Sequence, residues 1–284
     1  MILADESAGW TVAGLPQLER LVLVANDWAK AGVQVAVSIF WKPGCRSSAE
    51  TDSVRSFLPI TIATTGAEIA GNICLISTRL CPFPGEVDSV IRAFTVSVPS
   101  GLDWAGLFQV YSSRLDATPE SSARWRSLGS TNDIPAAETE LLRRMTKPQD
   151  GLVSRWINRP ISRRVTRRLL QLPITPDAWT ATILILPIVS FFLLLNGHYG
   201  AIVSACILFQ LFSILDGCDG EIARAKYLQS AIGARIDHVC DQAGNILFII
   251  GLGLGLYRTT EGGDRFFLES VICAIAFASW PVIA

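Results

Sequence analysis

The sequence predicts an α/β soluble amino-terminal domain over residues 1–140 and an all-α polytopic membrane domain over residues 141–284. Half of the 284 residues are hydrophobic, and the mean hydropathy of +0.39 is high for a soluble protein. Long apolar segments occupy the second half of the chain, whereas the first half has short apolar runs separated by turn residues. These two patterns indicate two domains, of which only the second suits a lipid bilayer.

The amino-terminal domain begins with the order strand, loop, helix and strand. Met1–Ala4 and Val33–Trp41 are apolar and rich in β-branched residues, and Gln17–Ala31 has helical periodicity. This order is typical of a nucleotide-binding α/β layer. Residues 112–132 are polar, so we expect a loop or domain edge there, followed by a helix over Ile134–Met145.

An amphipathic helix is predicted at the start of the membrane domain, over about residues 151–172. Six arginines alternate with apolar residues in this segment, and no acidic residue accompanies them. Such a helix lies at a membrane surface, with its arginines towards anionic head groups. The net charge of −1 offers no general attraction for nucleic acid, so a nucleic-acid-binding arm is the weaker interpretation. The arginines are Arg155, Arg159, Arg163, Arg164, Arg167 and Arg168.

About four transmembrane helices are predicted after this segment. Residues 178–215 contain no Asp, Glu, Lys or Arg, which is enough chain for two crossings of about 20 residues each. The arginines before the first crossing place that end, and the amino-terminal domain, in the cytoplasm. We expect an integral membrane protein of a bacterial or archaeal inner membrane. The crossings are predicted at about 177–196, 200–217, 231–256 and 266–284.

Four aspartates mark the candidate functional site. Asp216 and Asp219 are three residues apart, and Asp237 and Asp241 are four apart, so each pair shares one face if its segment is helical. Carboxylates crowded in low dielectric bind cations or protons. Oxygen ligands without His or Cys favour Mg²⁺ or Mn²⁺, and the seven cysteines show no metal-binding or disulfide spacing.

The segment from Asp216 to Asp241 resembles the signature of the CDP-alcohol phosphotransferases (CDP-alcohol phosphatidyltransferases), D-x2-D-G-x2-A-R-x8-G-x3-D-x3-D. That resemblance implies an integral membrane enzyme that transfers a phosphoalcohol group, phosphatidyl in our expectation, from a CDP-alcohol to an acceptor alcohol and releases CMP. It implies a role in phospholipid or polyol-phosphate synthesis. The matching residues are Asp216, Asp219, Gly220, Ala223, Arg224, Gly233, Asp237 and Asp241.

The resemblance also implies roles for individual residues. Asp216, Asp219 and Asp237 would hold metal, and Asp241 would be the general base and touch a second ion. Arg224 would contact the phosphates. Gly220, Ala223 and Gly233 would leave room for the nucleotide. Ser230 and Thr180 would be further donor contacts, although Asp177 stands where the family has Asn before Thr180.

The resemblance implies several partners. We expect a CDP-diacylglycerol or CDP-polyol donor, an acceptor alcohol with or without a phosphate group, membrane lipids and a second copy in a homodimer, but no nucleic acid. Family members have six transmembrane helices, whereas about four are predicted here. A fragment, or a membrane anchor with impaired catalysis, therefore remains the alternative to an active enzyme.

The opening residues resemble the beginning of sugar-phosphate nucleotidyltransferases, which implies Rossmann-like layers. Those enzymes hold a triphosphate with a glycine-rich loop, an Arg and a Lys, whereas this chain has Asp5 and Glu6 in the corresponding loop. Carboxylates there would repel a triphosphate. We therefore expect a degenerate domain without nucleotidyl transfer, and an active cytidylyltransferase that supplies the second domain remains the alternative.

Overall fold

The structure is a computed structural model, and it describes residues 1–45, 54–63, 71–83, 87–117, 125–145, 151–260 and 263–278. The chain divides into two compact units, Met1–Met145 and Thr146–Ala284. The first has α/β architecture and the second is helical, which confirms the predicted fold classes.

A parallel four-stranded sheet forms the centre of the first unit. Its strand order is β5-β4-β1-β7, and Ile2 on the inner strand β1 lies opposite Ile39 on one side and Ile76 on the other. Leu3 and Ile39 are fully buried, because helices cover the sheet. The described strands are β1 (Ile2–Ala4), β2 (Thr11–Val12), β3 (Leu15–Pro16), β4 (Val37–Trp41), β5 (Ile60–Ala63), β6 (Gly71–Cys74), β7 (Ile76–Ser77), β8 (Leu80–Pro82), β9 (Thr95–Val98) and β10 (Trp125–Ser127).

The described helices of this unit are α1 (Gln17–Lys30), α2 (Val87–Phe94), α3 (Trp104–Asp116) and α4 (Ile134–Arg144). Helix α3 and strand β10 correct the loop predicted over residues 112–132. The polar residues at the end of α3 are solvent-facing, whereas Leu107 and Tyr111 on its other side are buried in the core. The end of α3 is apolar on its buried side only, so its polar residues give the sequence pattern of a loop. Residues 118–124, which include Pro119, lie outside the described part.

The second unit begins with a helical turn over Ser154–Asn158 and continues with α5 (Arg159–Leu169), within the predicted amphipathic segment. Trp156 is 75% exposed, and the apolar residues beside it are exposed as well. The side that faces the rest of the unit is polar, because Arg159, Ser162 and Thr166 are buried there. The expectation that Arg159 faces lipid head groups is therefore wrong.

Three helical segments in the described residues are long and apolar enough to cross a membrane: Pro176–Leu194, Tyr199–Ala225 and Ala231–Thr259. The first consists of α6 (Pro176–Ile183) and α7 (Ile185–Leu194), and the others are α8 and α9. The fourth predicted crossing coincides with α10 (Gly263–Ala278), but its last residues, 279–284, lie outside the described part. That crossing stays a prediction.

Glycines allow close packing on α9. A Cβ atom at Gly255 would lie 2.0 Å from the carbonyl oxygen of Leu194, and one at Gly253 would lie 1.9 Å from Oγ of Ser270. Small residues at such contacts let helix backbones approach each other. Helix α9 therefore packs closely against α7 and α10.

Candidate active site

Three carboxylates come together where α8 and α9 meet. Asp216 and Asp219 lie on α8 and Asp237 lies on α9, and one oxygen from each lies within 4.8 Å of the others. Asp216 and Asp219 share a face of α8, as their spacing predicted. The described residues thus contain an all-oxygen group of the size and chemistry that suits a hard divalent cation.

Asp219 is held in place by two hydrogen bonds. Oγ1 of Thr180 donates to Oδ2 of Asp219 at 2.6 Å, and the backbone N–H of Gly220 donates to Oδ1. Asp219 is only 6% exposed, so these bonds determine its orientation. Thr180 was expected to touch the donor substrate. That contact stays a prediction, and its hydroxyl also orients Asp219, a proposed metal ligand.

The fourth aspartate of the motif lies beside this triad. Asp241 follows Asp237 by one helical turn on α9, and its carboxyl is an electrostatic neighbour of Asp216. One helical turn away, Nδ2 of Asn245 donates to the backbone carbonyl of Asp241 at 2.7 Å. The helix therefore places the Asp241 carboxyl next to the triad, on the side of Asp216.

A cavity of about 250 Å³ opens beside the carboxylates. It is bounded by the start of α6, the end of α8 and the start of α9. Eight of the predicted site residues line it, together with Asp177: Thr180, Asp219, Gly220, Ala223, Arg224, Ser230, Gly233 and Asp237. Asp216 and Asp241 do not line it. A phosphate-bearing ligand in this cavity would lie against Asp219 and Asp237 at one side and Arg224 at another.

The loop residues have structural tasks that the sequence did not reveal. Ser230 caps α9, since its Oγ accepts a hydrogen bond from the N–H of Gly233 at 2.9 Å. A Cβ atom at Gly233 would lie 2.9 Å from that Oγ and 3.0 Å from Oδ1 of Asp177. The space at Gly233 is thus already occupied by the serine cap and by Asp177, the residue that departs from the family pattern.

A buried carboxylate on the opposite side of α8 was missed. Glu221 is 2% exposed and accepts hydrogen bonds from Ser162 at 2.9 Å and Thr166 at 2.7 Å. Nη1 of Arg159 lies 3.4 Å from its Oε1. An acid between apolar segments was the only available signal, and its partners could not be identified because they lie 55 or more positions earlier in the chain.

The loop that follows β1 in the first unit, which contains Asp5 and Glu6, also differs from expectation. Asp5 is 1% exposed; its carboxylate accepts hydrogen bonds from Ser7 and, at 2.7 Å, from Nε of Arg79, which also pairs with Glu6. Burial raises the pKa of Asp5, but the bonds from Ser7 and Arg79 outweigh burial and hold that pKa below its usual value. The predicted excess of negative charge is therefore partly neutralised by Arg79.

Comparison with known proteins agrees with the site. Residues 173–280 match the model of the CDP-alcohol phosphatidyltransferase family. The second unit holds a domain of that family. It is therefore a transferase-family domain. Its family and the three apolar helices of the described residues together indicate a membrane protein.

Relatives named "Bifunctional IPC transferase and DIPP synthase" share part of the sequence. The chain is 35% identical to the protein of Archaeoglobus fulgidus over 154 residues, which is 52% of this chain and 29% of the relative. It is 41% identical to the protein of Rubrobacter xylanophilus over 138 residues, 48% of this chain and 30% of the relative. The matches thus span less than a third of either relative.

Proposed function

We propose that the CDP-alcohol phosphatidyltransferase domain transfers a phosphoalcohol group from a CDP-alcohol to an acceptor hydroxyl and releases CMP. The observation that carries this proposal is the carboxylate triad of Asp216, Asp219 and Asp237 at the edge of a cavity that Arg224 also lines. A pyrophosphate-linked donor needs cations at its phosphates and a base near its acceptor, and the site offers residues for both.

The triad is suited to hold Mg²⁺ or Mn²⁺, since all its ligand atoms are carboxylate oxygens. A divalent cation bound there would neutralise pyrophosphate charge and stabilise the leaving phosphate. With Asp241 contributing, two ions are proposed. Cys218 is not a competing ligand, because its Sγ lies 3.6 Å from the carbonyl oxygen of Ser162, on the other side of α8.

Asp241 is proposed as the general base. It takes the proton of the acceptor hydroxyl as that oxygen forms a bond to the alcohol-side phosphorus of the donor. The bond between this phosphorus and the bridging oxygen breaks, and CMP leaves with the electron pair. A carboxylate placed beside the triad, but not within it, can accept a proton while the other three keep their charge.

The cytidine diphosphate is proposed to occupy the cavity. The guanidinium of Arg224 would pair with phosphate oxygens. Gly220 and Gly233 have no side chain and Ala223 has only a methyl group, so none of the three takes up cavity volume. Ser230 and Thr180 line the cavity, so each has an oxygen with remaining acceptor capacity near the ligand.

The donor is proposed to be CDP-diacylglycerol, which the family's description favours, with a CDP-polyol as the second possibility. The acceptor is proposed to be a phosphorylated alcohol such as inositol phosphate or glycerol phosphate. We further propose that the site faces the cytoplasm, that the protein is a homodimer and that lipids surround its exposed apolar helices.

Membranes that contain the full chain test this proposal directly. They are incubated with CDP-diacylglycerol or a CDP-polyol, each with and without the candidate acceptors, and CMP release is followed. We expect release that depends on both donor and acceptor and is lost in Asp237→Asn membranes. Equal release by the variant, or by membranes lacking the protein, would refute the proposal and favour a membrane anchor without activity.

A further inference from the structure

Near its carboxyl-terminal end, helix α8 turns carboxylates towards two different neighbouring helices, α5 and α9. Successive residues are turned by about 100° around a helix axis, so Glu221 points away from Asp219, two residues earlier, and towards α5. Asp216 and Asp219 lie on the face turned to Asp237 of α9, and Asp219 also lines the cavity. Glu221 and the proposed metal ligands therefore lie on opposite sides of the same short stretch of α8.

Three donors from one face of α5 hold this glutamate. Arg159, Ser162 and Thr166 are spaced by three and four residues, and all three contact the Glu221 carboxylate. They are between 0% and 8% exposed, so water does not compete for these bonds. Nη1 of Arg159 also donates to the carbonyl oxygen of Gly217 at 3.4 Å, one turn before Glu221.

The fit between the two helices is close. A Cβ atom at Gly217 would lie 3.0 Å from Nη1 of Arg159. The guanidinium of Arg159 therefore fits here because residue 217 has no side chain. Two hydroxyls and one guanidinium directed at one carboxylate determine how far α8 is rotated about its axis. A rotation large enough to break these bonds would also redirect Asp216 and Asp219.

We propose that Glu221 is a positioning residue: its bonds to Arg159, Ser162 and Thr166 set the rotation of α8 that aligns Asp216 and Asp219 for metal binding. Glu221 itself touches neither substrate nor metal. This inference rests on the proposed function, because it assumes that the triad binds a divalent cation.

The test measures metal binding apart from turnover. Purified full-length protein in detergent is titrated with Mn²⁺, and free Mn²⁺ is followed by electron paramagnetic resonance. Glu221→Ala should weaken Mn²⁺ binding by about 10- to 100-fold, as for other residues that orient metal ligands. Glu221→Gln keeps the side-chain length and one carbonyl acceptor, so its affinity should lie between Glu221→Ala and wild type.

Ser190→Ala provides the matched control. Oγ of Ser190 donates to the carbonyl oxygen of Ala205 at 2.9 Å, so this substitution also removes a buried hydrogen bond to α8, but one that lies 14 residues before Asp219. It should lower thermal stability without changing Mn²⁺ affinity. If Glu221→Ala fails to fold, Thr166→Val removes a single donor at nearly constant shape and should still weaken Mn²⁺ binding.

Three results would overturn the inference, and they differ in what else they affect. Wild-type affinity in folded Glu221→Ala or, if that variant fails to fold, in Thr166→Val would refute the positioning role and leave the proposed function intact. The absence of Mn²⁺ binding by the wild type would refute both. A loss of affinity in Ser190→Ala equal to that in the Glu221 variant would show a general effect of destabilisation, and would also refute the specific role.

Discussion

The four aspartates of the motif differ in their surroundings, although the sequence presents them as two similar pairs. Asp219 is buried and hydrogen-bonded to Thr180, whereas Asp241 lies beside the triad near Asp216. A residue that holds metal and one that takes up a proton need these different settings. The division of labour among them can therefore be tested by substitutions that keep the shape of the side chain.

Asp241→Asn should leave binding of the CDP-alcohol largely intact and reduce turnover by about 10²- to 10⁴-fold, since it removes a base. Asp219→Asn should weaken metal and donor binding together. Donor affinity and turnover are measured separately for each variant. Asp264→Asn, at an exposed position on α10, is the control and should change neither. Equal loss of donor affinity in the Asp241 and Asp219 variants would disprove this division.

Asp5 makes the first unit sensitive to acid. Because the folded-state pKa of Asp5 is lowered, its contribution to stability is fully present above the unfolded-state pKa of about 3.9 and is lost as the pH falls through the folded-state value. At pH 7, Asp5→Asn should destabilise this unit by about 1–3 kcal/mol, through lost charged hydrogen bonds. Hydrogen exchange of β1 measures the effect. A difference in the hydrogen exchange of β1 between Asp5→Asn and wild type that persists unchanged well below pH 3 would contradict this prediction.

At the scale of elements, close contacts between helices depend on glycine. A methyl group at Gly255 would meet the backbone oxygen of Leu194 at 2.0 Å, and a backbone atom cannot turn aside as a side chain can. Gly255→Ala should therefore lower the free energy of unfolding of the membrane domain by about 1–3 kcal/mol. Its melting temperature should fall as a result. Gly151→Ala, where the added methyl meets nothing within 4 Å, is the control. Unchanged melting of the Gly255 variant in detergent would show that α7 and α9 move apart readily.

Local sequence pattern predicted the elements well where apolar residues recur along the whole element. Helix α1 has helical periodicity, strand β4 is a short apolar run, and the crossings by α8 and α9 are long apolar segments. Helix α3 was missed because its last turn, with Ser112, Ser113 and Arg114, is polar towards solvent. Periodicity describes one segment at a time, and it needs a full apolar stripe to distinguish a helix end from a loop.

Contacts between distant segments could not be predicted in this way. The spacing of Asp216 and Asp219 indicated a shared face, and the family resemblance named Asp237 as a third metal ligand. Only the structure shows that its carboxylate, from another helix, comes within 4.8 Å of the other two. Nothing in the spacing of Arg159 distinguished it from the other arginines of its segment, since only the packing of α5 on α8 brings it to Glu221. In the same way, Arg79 reaches Asp5 from 74 positions away.

At the scale of the whole molecule, an α/β unit precedes a membrane transferase domain, and the relatives' shared name describes bifunctional proteins. Whether the first unit catalyses a reaction of its own depends on its loop after β1. There, Arg79 is engaged by Asp5 and Glu6, and Lys42 lies 3.9 Å from Glu6. These cations are therefore already paired with carboxylates and are poorly placed to receive a triphosphate.

The full chain should accordingly show no CTP-dependent release of pyrophosphate with any sugar phosphate or polyol phosphate. The Asp219→Asn variant serves as the background, so that phosphotransfer by the second unit does not contribute. Pyrophosphate is measured with Mg²⁺ present. A clear Mg²⁺-dependent signal would overturn this prediction and establish the bifunctional alternative.

The central claim is that the carboxylates at the meeting of α8 and α9 act through a divalent cation. The most direct measurement is CMP release by wild-type membranes, supplied with a CDP-alcohol and acceptor that support turnover, before and after removal of divalent cations with a chelator. CMP release should stop in excess chelator and return when Mg²⁺ or Mn²⁺ is added back, because three carboxylates beside a pyrophosphate repel it unless a divalent cation offsets their charge. Full turnover in excess chelator would contradict the claim.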